Sequence, residues 1–315
     1  MQLNKIPTRS IQFIQYLLFR FLALFLNFLP FSWAMKMGEL LGKFLCRILH
    51  NYRKIALENL SHAFPEKSEK ETKRIAQASF VNLGYFAIEF VRIPKMIKNL
   101  KKYVVIQNEA PVLKSLELKR GVILIVSHFG NWEWMGVAAG ERARQEGVPI
   151  NAVARKLGNP FLYRYATERL RGATGLETID KKGAAREVIK LLDRNEIICV
   201  LVDQHERYGS VPVPYFGRTA WTTSLPAVMA VKRGTPVIPV FSYRRLNRPT
   251  VVELGKPFPI IRTGNYERDL IENTRQYIQA IEQVVQKRPE DWLWMHARWR
   301  SSRTGKLNKK REELP

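Results

Sequence analysis

Cysteine is scarce in this sequence, since the 315 residues include only Cys46 and Cys199. Two cysteines cannot supply the disulfide framework that stabilises many small secreted domains, so the cysteine content does not indicate an oxidising compartment. Cys199 lies in the apolar segment 197–202, which is typical of a buried strand, and core packing accounts for it. We therefore expect the bulk of the chain to lie in the cytosol.

Acidic residues are also few, with 28 Asp and Glu against 52 Lys and Arg, which gives a formal net charge of +24. So large a basic surplus indicates an anionic partner, either nucleic acid or an anionic membrane surface. No nucleic-acid-binding module is recognisable in the chain, so nucleic acid is not an expected partner. The hydrophobic content of 46% suits a globular protein with a substantial core.

The most apolar segment lies near the N-terminus, at residues 11–29, where Arg20 is the only charge. Its length is close to the ~20 apolar residues that cross a bilayer, and no small-residue cleavage site of a signal peptide follows it. Basic residues flank it on both sides, so the positive-inside rule gives no orientation. We expect a membrane-anchoring helix within residues 1–35 that either spans the bilayer or lies in its cytoplasmic leaflet. A buried core helix is the alternative.

The rest of the chain divides by pattern into a helical region at 36–100, an α/β region at 101–300 and a basic tail at 301–315. In the helical region, the apolar spacing continues through residues 35–60, and Ser68 with Glu71 forms a capping-box pattern that begins a helix ended by Pro94. Strands are predicted at 104–107, 122–126, 150–154, 197–202, 237–241 and 250–254. Helices are predicted at 111–118, 132–146, 160–171, 183–193 and 220–233, and a rigid loop at 209–217. Apolar strands that alternate with helices predict an α/β fold, in which helices flank a central, mostly parallel or mixed sheet.

A histidine and a glutamate follow the second predicted strand, with the spacing His128-x(4)-Glu133. On one continuous helix the two side chains would point about 140° apart, so they can meet only if His128 precedes the helix. Gly130 permits a tight turn at that point and Asn131 is a favourable N-cap. The Glu133 carboxylate would then hold one imidazole nitrogen, and the other nitrogen would act as a general base on an attacking hydroxyl.

Several separate motifs give the chain a resemblance to a known family. They include Glu58-Asn59-Leu60, Ser127-His128-Phe129-Gly130-Asn131-Trp132-Glu133, Ala154-Arg155 with Asn159-Pro160, Asp203-Gln204, Pro214-Tyr215-Phe216-Gly217, and Pro289-Glu290-Asp291-Trp292-Leu293-Trp294. In this order, and over nearly the whole chain, they resemble the lipid A biosynthesis acyltransferases, the lauroyl- and myristoyl-transferase group. That group is related to the glycerol-3-phosphate and lysophospholipid acyltransferases.

The resemblance implies a glycerol-3-phosphate acyltransferase-like fold with His128 and Glu133 as the catalytic dyad. It also implies that Arg155, with Asn159 nearby, lines the acceptor or phosphate site, and that Asp203, followed by Gln204, belongs to the cleft. The implied donor is acyl carrier protein charged with a fatty acyl chain. The implied acceptor is a phosphorylated glucosamine lipid with acidic sugars, at the cytoplasmic face of the inner membrane. Both substrates are acidic, which gives the +24 charge an electrostatic reason.

Other interpretations of these residues stay open at the level of sequence. The acceptor's own hydroxyl attacks the thioester, so we expect no metal or organic cofactor; a metal-dependent membrane hydrolase that uses His128, Glu133, Asp203 and His205 is nevertheless one rival. A non-enzymatic binder of anionic lipid or nucleic acid is another. Within the acyltransferases, the alternative acceptor is glycerol-3-phosphate or a lysophospholipid. Arg155 can equally be a surface arginine paired with a carboxylate. Arg169 and Arg171 either extend the anion site or lie on a solvated helix face, which we favour for Arg171.

Overall fold

A computed structural model describes residues 8–245 and 249–300 of the chain. The predicted basic tail at 301–315 lies outside the described residues. Four helices form the N-terminal part of the fold: α1 (Thr8–Phe28), α2 (Phe31–Ile48), α3 (His50–Ala63) and α4 (Glu69–Met96). Helix α1 is long and apolar enough to cross a membrane, and only 11% of its most apolar window is buried.

Two details of these helices differ from the prediction. The helix expected to run through residues 35–60 is interrupted at Leu49, which joins α2 to α3 with a non-helical backbone. Pro94 lies inside the last turn of α4 and does not end it. A proline so close to a helix end removes one hydrogen bond of the final turn and its fixed φ is helical, so the chain continues for two residues. The capping box of Ser68 and Glu71 is confirmed.

Helices α2 and α4 pack against each other at unusually close range. A Cβ atom placed on Gly84 of α4 would lie 2.0 Å from the carbonyl oxygen of Gly38 in α2. Gly42 of α2 is equally confined, because its Cβ would lie 2.4 Å from the Phe80 carbonyl oxygen. The absence of side chains at these three glycines lets the two backbones touch, which holds α2 firmly on α4.

Helix α1 lies along the folded domain and contacts it near both ends. Near its N-terminal end, the Gln12 side chain donates to the Gly158 carbonyl oxygen. At its C-terminal end, the buried Arg92 guanidinium donates to the carbonyl oxygens of Leu26 and Leu29. The opposite face of α1 is exposed and apolar, with Phe21 at 75% and Phe28 at 84% of their maximal exposure.

A seven-stranded sheet forms the centre of the remaining fold. Its strands are β1 (Val104–Gln107), β2 (Val122–Val126), β3 (Ile150–Ala154), β4 (Leu176–Asp180), β5 (Ile197–Leu201), β8 (Val237–Tyr243) and β9 (Thr250–Leu254), in the spatial order β1-β9-β8-β2-β5-β3-β4, and a hairpin of β6 (Ser210–Tyr215) and β7 (Arg218–Thr223) precedes β8 in sequence. All neighbouring pairs in the large sheet are parallel except β8 and β9. The predicted mostly parallel, mixed sheet is therefore confirmed.

Helices cover both faces of this sheet. They are α5 (Ala110–Leu116), α6 (Trp132–Gln145), α7 (Pro160–Arg164), α8 (Ala184–Asp193), α9 (Leu225–Arg233) and α10 (Tyr266–Lys287), and a π-helical segment (Tyr165–Arg171) continues α7. Alternate residues of β2 enter different cores: Ile123 and Ile125 pack on one side, whereas Leu124 and Val126 pack on the other. This alternation explains why β2 is apolar at every position.

The sequence prediction missed three strands. Strand β4 lies at the edge of the sheet, and its polar residues interrupt the apolar run by which the other strands were predicted. The segment predicted as a rigid loop at 209–217 and the start of the helix predicted at 220–233 instead form the hairpin of β6 and β7. Phe216 and Gly217 connect these strands, both with positive φ, as a two-residue hairpin turn requires. The β-branched and aromatic residues at 219–223 were the available signal for a strand.

Candidate active site

His128 emerges at the carboxyl end of β2, two residues beyond its last residue. The chain turns sharply at Gly130, which has φ +62° and donates its backbone N–H to the Asp291 carbonyl oxygen. Asn131 then caps α6 by accepting the backbone N–H of Trp134. The predicted turn and N-cap are both confirmed, and they place His128 outside the helix that it precedes.

The carboxylate that holds the His128 ring belongs to Asp203. Its Oδ1 lies 2.8 Å from His128 Nδ1, and its Oδ2 accepts the His128 backbone N–H at 2.7 Å. The prediction that Glu133 holds the imidazole is therefore wrong. Parallel strands β2 and β5 are neighbours, and Val126 pairs with Leu201. His128 and Asp203 each lie two residues past this pair, so the register brings them side by side.

Asp203 is almost completely buried, at 1% exposure. Burial alone would raise its pKa, but the His128 imidazole and the hydrogen bonds from His128 and Trp292 outweigh that effect and hold the pKa below its ordinary value. The Trp292 indole N–H donates a hydrogen bond of 2.7 Å to Asp203 Oδ2. The ionised carboxylate accepts from Nδ1, and this assigns the ring proton to Nδ1 and the lone pair to Nε2.

Gln204 contacts the other ring nitrogen of the same histidine. Its side-chain Nε2 lies 3.2 Å from His128 Nε2, so the amide donates to the lone pair of the imidazole. Its backbone carbonyl oxygen accepts from Arg298, which also donates to the Trp221 carbonyl oxygen and to Thr222 Oγ1. Arg298 is fully buried, and burial lowers its pKa to about 10. Thus Arg298 fixes the backbone on which Gln204 approaches the imidazole.

Glu133 is also buried, but it pairs with Arg171. The guanidinium grips the carboxylate at two points, Nε to Oε2 at 2.9 Å and NH2 to Oε1 at 2.6 Å. Burial acts to lower the pKa of Arg171, but the bonds to Glu133 outweigh burial and raise it. The preferred interpretation of Arg171 as part of a solvated helix face was wrong. The π-helical segment turns this arginine inward, and simple 3.6-residue periodicity cannot anticipate that turn.

The other predicted substrate residues lie at the rim of the fold. Asn159 caps α7 through its Oδ1 and donates through its Nδ2 to the Gln12 carbonyl oxygen of α1, so it joins the domain to the N-terminal helix. Arg155, just past β3, and Arg169, on the π-helical segment, are exposed. None of these three residues makes a hydrogen bond to His128 in the described part of the chain. Their predicted roles in binding substrate stay predictions.

The four residues of the rival metal site do not form one cluster, although His128 and Asp203 are hydrogen-bonded to each other. Within residues 8–245 and 249–300, no group of three His, Cys, Asp or Glu side chains is close enough to hold a metal ion. Glu133 is bound to Arg171, and the His205 backbone N–H donates to Nε2 of His296. Burial lowers the pKa of His296 to about 4, which keeps this acceptor nitrogen unprotonated.

A small notch of about 10 Å³ lies between His128 and α4. Leu83 and Phe86 of α4 line it together with Trp132, and the polar residues Ser79, Asn82 and Asp291 also line it. The Trp132 ring meets the imidazole edge to face at 5.0 Å between centroids and stacks on Phe86 at 4.2 Å. The imidazole therefore sits between a polar cluster that fixes its orientation and the aromatic rings of Trp132 and Phe86.

Comparisons with known proteins show which sequences the chain resembles. Residues 5–301 match the family model described as bacterial lipid A biosynthesis acyltransferase. The chain is 27% identical to the lipid A biosynthesis lauroyltransferase of Escherichia coli K12 over 293 residues, which cover 88% of each chain. It is 22% identical to the lipid A biosynthesis palmitoleoyltransferase of the same organism over 282 residues, again 88% of each. A phosphatidylinositol mannoside acyltransferase of Mycolicibacterium smegmatis is 26% identical over 171 residues, which cover 53% of this chain and 55% of that protein.

Proposed function

The chain belongs to the bacterial lipid A biosynthesis acyltransferase family, and we propose that it transfers a fatty acyl chain from acyl carrier protein to a hydroxyl of a lipid A precursor. The observation that carries this proposal is the contact of Asp203 with His128 Nδ1, which leaves the lone pair on Nε2 for a general base. The rings of Trp132 and Phe86 beside the imidazole offer an apolar surface on which we place the reacting end of the acyl chain.

In the proposed reaction, His128 Nε2 removes the proton of the acceptor hydroxyl as its oxygen attacks the thioester carbonyl carbon. The tetrahedral intermediate collapses, the carbon–sulfur bond breaks, and the imidazolium returns the proton to the departing thiolate. Asp203 stabilises the imidazolium and fixes the ring, so it is a positioning residue. Glu133 has no part in holding the ring; it anchors Arg171 at the edge of α6.

Without substrate, the Gln204 amide donates a hydrogen bond to the Nε2 lone pair of His128. The acceptor hydroxyl must displace this amide from His128 Nε2, which frees the N–H that had bound the ring. We assign the displaced amide to the substrate oxygens, either the acceptor hydroxyl or the carbonyl oxygen that becomes negative. A donor that meets the oxyanion only in the transition state contributes directly to catalysis.

The charge and the apolar helix support the proposed substrates and location. The net charge of +24 suits an acidic carrier protein and a phosphorylated acceptor. The exposed face of α1 suits a lipid environment, so we place the protein on the inner membrane with its catalytic domain on the cytoplasmic face. Arg155 and Arg169, both exposed at the rim, are proposed contacts for acceptor phosphates.

One of the relatives points to a second candidate acceptor, a phosphatidylinositol mannoside. That relative is a phosphatidylinositol mannoside acyltransferase, so the fold also serves a protein named for a different glycolipid. Glycerol-3-phosphate or a lysophospholipid is the alternative outside the glycolipids. The three acceptors differ in headgroup, and the base at His128 would act on each of them in the same way.

The experiment that tests the proposal is acyl transfer by purified wild-type protein and its His128→Ala variant. The acceptors are a tetra-acylated lipid A precursor, a phosphatidylinositol mannoside and a lysophospholipid, each with acyl carrier protein thioester or with acyl coenzyme A. We expect transfer from the carrier protein to the lipid A precursor, and its loss in the variant. Transfer to only one of the other two acceptors would mean that the protein acts in a different lipid pathway. Full activity of His128→Ala would refute the mechanism.

A further inference from the structure

A groove of about 770 Å³ lies between the second half of α2, α3 and the start of α4. Basic side chains line it from three helices: Lys43 and Arg47 from α2, Arg53 from α3 and Lys73 from α4. No acidic residue lines it. Because the glycines of α2 and α4 hold these helices in contact beside the groove, its walls are fixed rather than formed by mobile loops.

The charge in this groove is only partly neutralised. Lys43 pairs with Glu39 at 2.5 Å, and Lys73 pairs with Glu69 at 2.6 Å. Arg47 and Arg53 form no ion pair with any residue that the structure describes. An anionic group in the groove would therefore meet two uncompensated guanidinium groups, which bind phosphate oxygens well.

The outer rim of the groove is apolar and exposed. Along α2 the exposed hydrophobic residues follow helical spacing and form one stripe, which consists of Trp33, Met37, Leu40, Leu41, Phe44 and Ile48. Leu40 and Phe44 belong both to this stripe and to the lining of the groove. The exposed apolar residues of α1 precede the stripe in sequence and end at Phe28, three residues before α2 begins. An apolar face beside a cluster of cations is the arrangement expected of a helix in the interface of an anionic bilayer.

The groove adjoins, through a second cleft along α4, the notch beside His128. It shares Lys43 and Gln77 with a second cleft of about 510 Å³, and that cleft shares Asn82 and Asp291 with the notch that holds His128. From Gln77 to Phe86, the nine residues of α4 rise about 14 Å. A lipid headgroup beside Gln77 would thus lie about 14 Å along α4 from the wall of the notch, a distance that an extended lipid molecule can cover.

We propose that the α2–α4 groove binds the phosphorylated headgroup of an anionic lipid that enters sideways from the bilayer. Its apolar chains would rest on the stripe of α2, and its phosphate would meet Arg47 and Arg53. The inference rests on the proposed function at one point: we take the bound lipid to be the acceptor of the acyl chain. The apolar rim distinguishes a bilayer lipid from an acidic protein, since a protein partner would leave the stripe of α2 exposed.

The test compares two variants of the full-length protein that each lose three positive charges. In one, Arg47→Gln, Arg53→Gln and Lys73→Gln change the groove. In the matched control, Lys98→Gln, Lys101→Gln and Lys102→Gln change another basic cavity, which lies beyond the C-terminal end of α4 and has no apolar stripe of its own. Each protein is titrated with phosphatidylcholine vesicles that contain or lack phosphatidylglycerol, and thermal unfolding verifies that both variants fold.

We expect the groove variant to bind the anionic vesicles about 10- to 100-fold more weakly, while the control loses less than about threefold. Both should bind neutral vesicles like the wild type. Equal losses of vesicle affinity in the two variants would mean that only the total positive charge matters, and this would overturn the site. Unchanged vesicle binding would overturn it as well, and weaker binding of acyl carrier protein alone would reassign the groove to a protein.

A kinetic arm separates this proposal from the proposed function. If the lipid in the groove is the acceptor, the groove variant raises KM for the acceptor by about tenfold or more and leaves kcat near that of the wild type. An unchanged KM together with weakened vesicle binding would overturn the acceptor assignment. If the wild type transfers no acyl chain at all, the proposed function fails, whereas the vesicle titration still decides the lipid site.

Discussion

Asp203 holds His128 at two points, since one carboxylate oxygen accepts from the ring Nδ1 and the other from the backbone N–H of the same residue. The two contacts fix both the position of the histidine and the tautomer of its ring. The Asp203 carboxylate therefore orients the imidazole, a role that the sequence motif had assigned to Glu133.

The Asp203→Asn variant should fold and lose most of its activity. An amide in place of the carboxylate cannot stabilise the imidazolium, and its NH2 group favours the wrong tautomer. We expect kcat to fall by about 10²- to 10⁴-fold with a much smaller change in KM. Single-turnover acyl transfer measures the loss, and a thermal midpoint close to that of the wild type excludes unfolding as its cause. An Asp203→Asn protein with near wild-type kcat would contradict the assignment.

Glu133 and Arg171 should behave as one buried pair in a double-mutant cycle. Removal of either partner leaves the other charge buried without compensation, so Glu133→Gln and Arg171→Gln should each lower the free energy of unfolding by about 3–5 kcal/mol. The double variant should lose much less than the sum of the two. Urea denaturation measures all four proteins, and additive losses would show that the pair does not interact.

Protein stability should decline on acidification in a way that depends on His296. Burial lowers its pKa in the folded protein to about 4, against an ordinary value of 6.5. Between these values the unfolded chain binds the proton and the folded protein does not, so stability falls as the pH falls from 6.5 to 4. The loss from this group is at most about 3 kcal/mol.

The His296→Gln variant isolates that contribution. Glutamine can still accept the His205 backbone N–H through its oxygen but does not titrate. Urea denaturation of both proteins at pH 7 and pH 4.5 should show a smaller pH dependence in the variant. The same dependence in both would mean that His296 is not the group responsible.

Gly130→Ala should destabilise the protein far more than Gly147→Ala. Both glycines have nearly the same positive φ, +62° and +67°, so each substitution costs about 1 kcal/mol or slightly more from the backbone alone. At Gly130 the added Cβ would also lie 1.8 Å from the Ser242 carbonyl oxygen, whereas at Gly147 it meets nothing within 4 Å. Thermal unfolding and soluble yield compare the two variants. Equal effects would mean that the turn after His128 tolerates a side chain.

Local sequence patterns determined the elements that carry the candidate site. The apolar segment at 122–126, the glycine at 130 and the cap at Asn131 depend on residues within a few positions of one another. These signals act locally, through side-chain burial and backbone conformation, so the strand, the turn and the helix start could all be predicted. The same holds for the six predicted strands of the large sheet and for the apolar α1.

Only the tertiary structure decided which carboxylate meets His128. Asp203 lies 75 residues away, and its approach depends on β5 being the parallel neighbour of β2 with Val126 opposite Leu201. Strand order and register follow from the packing of the whole core, which no periodicity along the chain encodes. Glu133, only five residues from the histidine, turns instead to Arg171, because α6 rotates its carboxylate toward the π-helical segment.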